Sequence, residues 1–286
     1  METMASFALD TDIGTDVDDL LALAMVLGSP ELSVSEIVTA YGDVALRARI
    51  AAKVYAVLGI AAPPIVPGLA ETLSGRPVWW PGHEGETISD LADQVFSEGR
   101  DAIADLSGTA TIAAIAPLAN VAAALRQPHS VRQIVLMGGE FQQGIVEHNI
   151  RCDVTAAQEV FGSTAEVLAV GLDQTERVRL YADDRDRITA AGPLGALIGA
   201  EMRRFWEFAD QSHNTPHDPV AILALARPDL YQTARGRITV DDDGLTMFSA
   251  DEAGPHRIVT DLDIDGVKDE IVRRILAAAA APADAA

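Results

Sequence analysis

Five aspartates crowd into one short stretch near the start of the chain: Asp10, Asp12, Asp16, Asp18 and Asp19. The apolar run Phe7-Ala8-Leu9 precedes them and a second run, Leu20 to Leu27, follows. The first reads as a buried strand and the second as a helix, so the carboxylates fall in a strand-to-helix loop. Anions packed this closely repel one another unless a cation neutralises them, and a hard divalent ion held by oxygen ligands is the simplest solution. Helix capping and the helix dipole would account for Asp18 and Asp19. They leave Asp10, Asp12 and Asp16 without a purpose, so the segment reads as a site for a metal or a polar substrate.

The rest of the chain supplies the elements that must hold this loop. Strands are expected at Phe7–Asp10, Ser35–Ala40, Ala110–Ala116, Gln133–Met137 and Glu166–Gly171. Helices are expected between and after them at Asp19–Leu27, Leu46–Leu58, Leu118–Leu125, Thr155–Phe161, Met202–Asp210 and His217–Arg227. The strands are mostly continuous apolar runs, the pattern of strands covered on both faces, and their alternation with helices implies right-handed crossovers around a parallel sheet. Arg237 to Val240, the turn Asp241-Asp242-Asp243-Gly244, and Leu245 to Phe248 predict a hairpin. A helix near Val267–Ala279 follows it, and the Ala-rich end from Ala277 to Ala286 is expected to fray. The expectation is one α/β domain over residues 1–286, a mostly parallel central sheet flanked by helices, closed by a C-terminal hairpin and helix.

Composition narrows the function. A chain of 286 residues, 49% hydrophobic and 22% charged, has the balance of a soluble globular enzyme. A net charge of −22 argues against a nucleic-acid partner, which needs a basic face. The only lysines are Lys53 and Lys268. One cysteine, Cys152, excludes an intrachain disulfide and a multi-cysteine zinc site and suits a reducing cytoplasm. The N-terminus carries no signal pattern and no stretch is long and apolar enough to span a membrane, so a cytoplasmic protein is expected. Two loops, Gly75 to Glu86 and Asp210 to Pro219, are rich in turn formers. The first carries Trp79, Trp80 and His83, and the second follows a helix bearing Phe205, Trp206 and Phe208. Aromatics in such loops can stack on a flat ring, although packing within the loop explains each one singly.

Polar residues recur where other strands end. They are Tyr41-Gly42-Asp43, Ile115-Ala116-Pro117-Leu118-Ala119-Asn120, Met137-Gly138-Gly139-Glu140-Phe141, Glu147-His148-Asn149-Ile150-Arg151-Cys152-Asp153 and His217-Asp218-Pro219. In this order, with the aspartate loop, they resemble the inosine–uridine-preferring nucleoside hydrolase family. The family's Asp-x-Asp-Pro-Gly-x-Asp-Asp run is similar to Asp10 to Asp19 here, with Ile13 for proline and two extra residues before the paired aspartates. Its Gly-Asn is similar to Gly42-Asp43, and its Leu-Thr-Asn to Leu118-Ala119-Asn120. Its Leu-Met-Gly-Gly matches Leu136 to Gly139, its Glu-Phe-Asn-x-x-x-Asp resembles Glu147 to Asp153, and its His-Asp-Pro matches His217 to Pro219.

The resemblance implies a calcium-dependent enzyme that hydrolyses the N-glycosidic bond of a ribonucleoside to free base and ribose. It implies that Asp12 binds Ca²⁺ and acts as general base toward water on the metal, with Asp19, Asp218 and the Ile115 carbonyl as further oxygen ligands. Asp18, Glu147 and Asn149 would then hydrogen-bond the ribose hydroxyls, and His217 would assist the leaving base as proton donor. An oxocarbenium-like sugar would be stabilised by the anionic pocket. Asp16 and Asp43 become further substrate contacts, and His83 and Trp206 contacts to the base. The resemblance also implies a homodimer or homotetramer acting in nucleoside salvage. The sequence departs from the pattern at the two-residue insertion, at Asp43, where a carboxylate replaces an amide, and in lacking an Asn the family places six residues before its Glu. Asp10-x-Asp12 also opens the haloacid dehalogenase-type phosphatases, whose Mg²⁺-dependent chemistry needs a cation on the phosphoryl group. A non-catalytic nucleoside or ribose sensor on the same fold is the remaining alternative.

Overall fold

Continuous apolar strands covered on both faces need two helical layers, and the chain provides them. The structure is a computed structural model and describes residues 4–280. Its strands are β1 (Ala5–Thr11), β2 (Leu32–Thr39), β3 (Ile65–Pro67), β4 (Thr111–Ala114), β5 (Gln133–Met137), β6 (Glu166–Val170), β7 (Tyr231–Val240), β8 (Thr246–Ala250) and β9 (His256–Leu262). The helices are α1 (Asp18–Leu27), α2 (Val44–Leu58), α3 (Ala102–Gly108), α4 (Ala119–Leu125), α5 (His148–Cys152), α6 (Val154–Gly162), α7 (Leu172–Thr175), α8 (Ala182–Thr189), α9 (Pro193–Ala209), α10 (His217–Ala226) and α11 (Ile264–Ala279). The sheet order is β3-β2-β1-β4-β5-β6-β9-β7-β8. Strands from β3 to β9 in this order run parallel, and β7 turns antiparallel between β9 and β8.

Side chains alternate across the sheet, as strand geometry requires. Leu9 and Ile37 enter one core with Leu21, Met25, Ile50, Leu223 and Ile275 from α1, α2, α10 and α11. Ala8 and Val38 enter the other with Ile112, Val121, Leu136 and Val160. At the crossing of α1 and α11 a Cβ on Gly28 would lie 1.9 Å from the Arg274 carbonyl oxygen, so only glycine allows this approach. The chain runs outward from β1 through β2 to β3 and then returns to β4 on β1's other side. The carboxyl ends of β1 and β4 therefore flank a topological switch point, where open α/β sheets leave a crevice for ligands.

Several boundaries differ from the sequence expectations. The helix expected at Met202–Asp210 begins at Pro193, with proline in its first turn, where its fixed φ and missing N–H suit a helix start. The strand expected over Ala110–Ala116 stops at Ala114, which frees Ile115 to face the crevice. The expected hairpin is present, with Val240 opposite Thr246, but β7 is longer and an unforeseen strand, β9, inserts between β6 and β7. The last helix starts at Ile264, capped by Asp263, whose carboxylate accepts from Gly266 N at 3.1 Å. It continues through buried Ala278 and Ala279, so fraying does not begin at Ala277; residues 281–286 lie outside the described residues.

Candidate active site

The loop after β1 brings its carboxylates to the switch point by a sharp turn. Gly14 takes φ +119°, a conformation that L side chains rarely adopt, and a Cβ there would meet the Ile50 side chain at 2.7 Å. Fully buried Arg47 of α2 holds the turn from behind. Its Nε donates to the Tyr41 carbonyl at 2.7 Å, Nη1 to the carbonyls of Ile13 (2.9 Å) and Asp12, and Nη2 to Thr15 Oγ1 at 3.2 Å. The guanidinium also lies 4.9 Å from the Trp80 ring centroid. It binds the backbone of the acidic loop rather than a carboxylate. The sequence offered little sign of this, since Arg47 is one arginine inside a mixed helix pattern.

The loop leads directly into α1, which places Asp18 and Asp19 in its first turn, both buried. Asp218, buried in the first turn of α10, meets them, and one oxygen from each of the three lies within 4.8 Å of the others. Asp12 and Asp16 line the same cavity. Thr11 Oγ1 donates to Asp19 at 2.5 Å, and Asn120 Nδ2 donates to Asp10 at 2.8 Å. Burial, then mutual repulsion, raises the carboxyl pKa values of Asp18, Asp19 and Asp218 well above the usual range. Burial likewise raises Asp12, and pushes Asp10 and Asp16 up to about 7. A cluster of this kind must hold protons or a cation. Its donors are all oxygens, which fits a hard divalent metal and not a thiolate- or imidazole-seeking one.

The opposite side of the cavity is built by α5 and the β5 end. Glu147 caps α5 and its carboxylate accepts three backbone N–H bonds, from Asn149 (2.8 Å), Ile150 (3.1 Å) and Gly139 (3.2 Å). Asn149 Nδ2 donates to the Met137 carbonyl at 3.2 Å. Glu140 gathers the N–H groups of Gln142, Gln143, Gly144 and Ile145 and so folds the intervening loop. Asp153 caps α6 and accepts from Leu73 N (2.6 Å) and Ser74 N (3.0 Å), anchoring the loop that carries Trp79.

His217 stands at the head of α10, with Nδ1 2.8 Å from Thr175 Oγ1. Burial, and secondarily the charge of His148, lowers its pKa to about 4, so the ring is neutral at physiological pH. The cavity has a volume of about 280 Å³, and Ile115, Met137 and Leu172 line it together with the aromatic side chains Trp79, Phe205 and Phe208.

Of the twelve residues expected at the site, Asp12, Asp16, Asp18, Asp19, Ile115, Glu147, Asn149, His217 and Asp218 line this cavity. Three do not. Asp43 is exposed and caps α2, accepting from Leu46 N at 2.9 Å, because a carboxylate at a helix start finds its partner in the free backbone N–H groups. Trp206 turns into the core, where Nε1 donates to Asn214 and Arg185 covers the ring at 4.8 Å. His83 is buried behind the rim, with Nε2 2.9 Å from the Thr15 carbonyl oxygen and its ring edge-on to Phe208 at 4.2 Å. In their place stand Phe205 and Phe208, which share a helix with Trp206, and His148, where the family pattern has phenylalanine.

A parallel sheet whose strand ends converge on an oxygen-lined, aromatic-rimmed crevice defines a class of α/β enzymes with a metal-ready carboxylate floor. The chain matches the model of the inosine-uridine preferring nucleoside hydrolases over residues 7–269, and it belongs to that family of N-glycosidases. Its relatives include a non-specific ribonucleoside hydrolase of Klebsiella pneumoniae, 31% identical across 82% of this chain and 84% of that protein. Uridine nucleosidase 1 of Arabidopsis thaliana is 28% identical across 84% of this chain and 79% of its own. A plant nucleoside hydrolase structure superposes with a TM-score of 0.81 at 26% identity, covering 95% of this chain and 99% of that one.

Proposed function

We propose that this enzyme hydrolyses the N-glycosidic bond of ribonucleosides at a Ca²⁺ site formed by Asp12, Asp19, Asp218 and the carbonyl of Ile115, with Asp18 beside it. The observation that carries the reading is the convergence of the Asp18, Asp19 and Asp218 carboxylates within 4.8 Å, in a cavity that also holds Asp12, Asn149, Glu147 and His217. A bound Ca²⁺ would neutralise this cluster, accept oxygen ligands from the vicinal hydroxyls of a ribose, and make water at the site easier to deprotonate.

Asp12 takes the proton from the attacking water. Asp18, Glu147 and Asn149 orient the ribose, and Asp16 adds an acceptor at the edge of the floor. Their buried carboxylates stabilise the positive charge that grows on the sugar ring as the base departs. The leaving base lies toward Phe205, Phe208 and His217. His217, which lines the cavity with its Nδ1 engaged by Thr175, is neutral in the empty site; it gains a proton beside the anionic floor when substrate binds and passes it to the base as the bond breaks. A phosphatase reading would need a cation among the ligating groups, and Arg47, which holds the acidic loop from behind, is committed to backbone carbonyls.

The test is release of reducing sugar from millimolar inosine, uridine, cytidine, adenosine and guanosine, with and without added Ca²⁺. Release of ribose and free base is expected. Binding without release from any of them overturns the reading in favour of a sensor, and release of inorganic phosphate from phosphate esters favours the phosphatase. Elemental analysis giving stoichiometric zinc and no calcium would remove the calcium assignment alone.

A further inference from the structure

A second cavity opens beside the catalytic one, with a volume of about 430 Å³ against about 280 Å³ for its neighbour. Trp79 and His148 line both and so form the partition between them. The charge reverses across that partition. The catalytic cavity presents five aspartates and Glu147, whereas the second presents Arg76 and Arg151 and no carboxylate. A chain of net charge −22 has acids to spare for its arginines, and Arg100, Arg126, Arg227 and Arg274 each pair with one. Among the described residues, Arg76 and Arg151 have no carboxylate within ion-pair distance.

Neutral groups set the two guanidiniums in place. Arg76 Nη1 donates to the Arg151 carbonyl at 2.9 Å, and Arg151 Nη2 lies 3.1 Å from His148 Nδ1. A guanidinium has five donors and no acceptor, so Nδ1 accepts, and each arginine keeps further N–H groups for a ligand. Cys152 Sγ meets the other side of the His148 ring, 3.5 Å from Nε2. Burial pushes the Cys152 thiol up to about 11, raises the Tyr41 phenol and lowers the His148 imidazole. All three are therefore neutral at physiological pH, and the arginines are the charges that line the cavity. Tyr41 Oη accepts from Trp79 N at 2.8 Å, and the Trp79 ring meets His148 edge-on at 5.6 Å between centroids. Pro77 extends this apolar surface.

We propose that the second cavity binds a phosphomonoester, its phosphate clamped by Arg76 and Arg151 and its sugar-sized body laid against Trp79 and Pro77. Two planar forks match the several oxygens of a phosphate, and two cations facing one cavity repel until an anion joins them. The volume exceeds what inorganic phosphate fills, and the apolar wall suits the carbon skeleton of a sugar. No lining carboxylate is present to hold a metal or attack phosphorus, so the ester is bound there and not cleaved. The site goes beyond the hydrolase reading and does not depend on it.

The experiment is calorimetric titration of the purified protein with ribose 5-phosphate, uridine 5′-monophosphate, inorganic phosphate and ribose at constant ionic strength. Wild type, Arg76→Met, Arg151→Met and Arg151→Lys are compared, all changes of exposed residues. Both esters should bind the wild type, and inorganic phosphate should bind more weakly. Each methionine variant should weaken ester binding by about tenfold or more, the scale of one charge-assisted hydrogen bond. Arg151→Lys keeps the charge and loses the fork, so it should fall between. Ribose, which lacks the phosphate, should not respond to either arginine. Product analysis with uridine 5′-monophosphate then separates two sources of the phosphate. Release of uracil and ribose 5-phosphate, with KM raised and kcat kept in the methionine variants, puts the phosphate on a substrate that crosses the partition. Ester binding without loss of the base makes the ester a separate effector. The inference is overturned by no ester binding at millimolar concentration, by equal binding in the methionine variants, or by inorganic phosphate binding as tightly as the esters. Release of inorganic phosphate from the nucleotide overturns it as well. Inertness toward every nucleoside, which overturns the hydrolase reading, leaves the binding result intact.

Discussion

The floor and the rim of the cavity are made by different means. The floor is Asp12, Asp18, Asp19, Ile115 and Asp218, fixed at the ends of β1 and β4 and the starts of α1 and α10, and all but Asp12 are buried. The rim is Trp79, Phe205 and Phe208, carried by a long irregular segment and by the last turn of α9. Trp79 and Phe208 are each 49% exposed. The floor is polar, crowded and held by regular elements; the rim is aromatic and half in solvent. A site arranged in this way is expected to recognise hydroxyls strictly and flat rings loosely, because an unpaired buried carboxylate costs far more than a slightly shifted stacking contact.

The largest effect should come from the floor. Asp12→Asn removes the proposed base and one negative charge while keeping the shape, and kcat is expected to fall by at least ~10³-fold in a single-turnover or steady-state assay. His217→Ala should follow at about 10²–10⁴-fold in kcat with ribose inhibition retained. If either variant kept wild-type kcat, the division between a chemical floor and a selective rim would collapse.

Removing the metal tests the same floor through stability. In the metal-free protein burial pushes the carboxyls of Asp10 and Asp16 up to about 7, and those of Asp18, Asp19 and Asp218 well above 3.8, the value when unfolded. Between about pH 4 and pH 7 the folded state therefore binds more protons than the unfolded one, and stability falls as pH rises through that window. Chelator-treated protein should melt at a higher temperature at pH 5 than at pH 8. Saturating Ca²⁺ should raise Tm most at pH 8 and flatten or reverse the slope. A metal-free Tm that climbs from pH 5 to pH 8 would mean that the carboxylates are not buried together in solution.

The floor was also the legible part of the sequence. Its aspartates stand at strand-to-helix junctions that apolar runs mark clearly, and five short motifs keep their order along the chain. What could not be read depends on which way a side chain turns. Trp206 and Phe205 are neighbours on one helix, and a rotation of about 100° per residue sends the tryptophan to Asn214 in the core and leaves the phenylalanine on the cavity. The sequence put His83 at the base and gave His148 no role; the folded chain shows the first behind Phe208 and the second in the wall. In the fold, β3 and α7 are too short to carry a period, and β9 was hidden because its alternating pattern includes Arg257, Thr260 and Asp261.

A smaller effect compares the two regions directly. The penalty for 2′-deoxyuridine relative to uridine should exceed the ratio of kcat/KM between inosine and uridine. Phe208→Ala should raise KM several-fold and change kcat little, since an aromatic contact is worth only about 0.5–1.5 kcal/mol beyond its buried area. A base preference larger than the deoxy penalty would show the rim, not the floor, to be the stricter reader.

The smallest effect marks where the floor ends. Asp43 follows β2 as Asp12 follows β1, and the sequence placed Asp12 at the metal and Asp43 at the substrate. In the structure they part: Asp12 enters the cavity, whereas Asp43 is exposed and spends its carboxylate on Leu46 N. The reason is local. Tyr41 and Gly42 both take positive φ, 65° and 87°, and a Cβ on Gly42 would lie 2.4 Å from the Trp80 ring. Trp80 packs on this turn, which directs the next residue to the start of α2. Asp43→Ala should therefore destabilise the protein by about 1 kcal/mol, as losing a helix cap does, and leave kcat/KM for uridine within twofold of wild type. Asp43→Asn, which keeps the cap, should restore stability. A loss of kcat/KM in Asp43→Ala beyond tenfold, rescued by neither Asn nor added Ca²⁺, would return Asp43 to the ribose and extend the floor across β2.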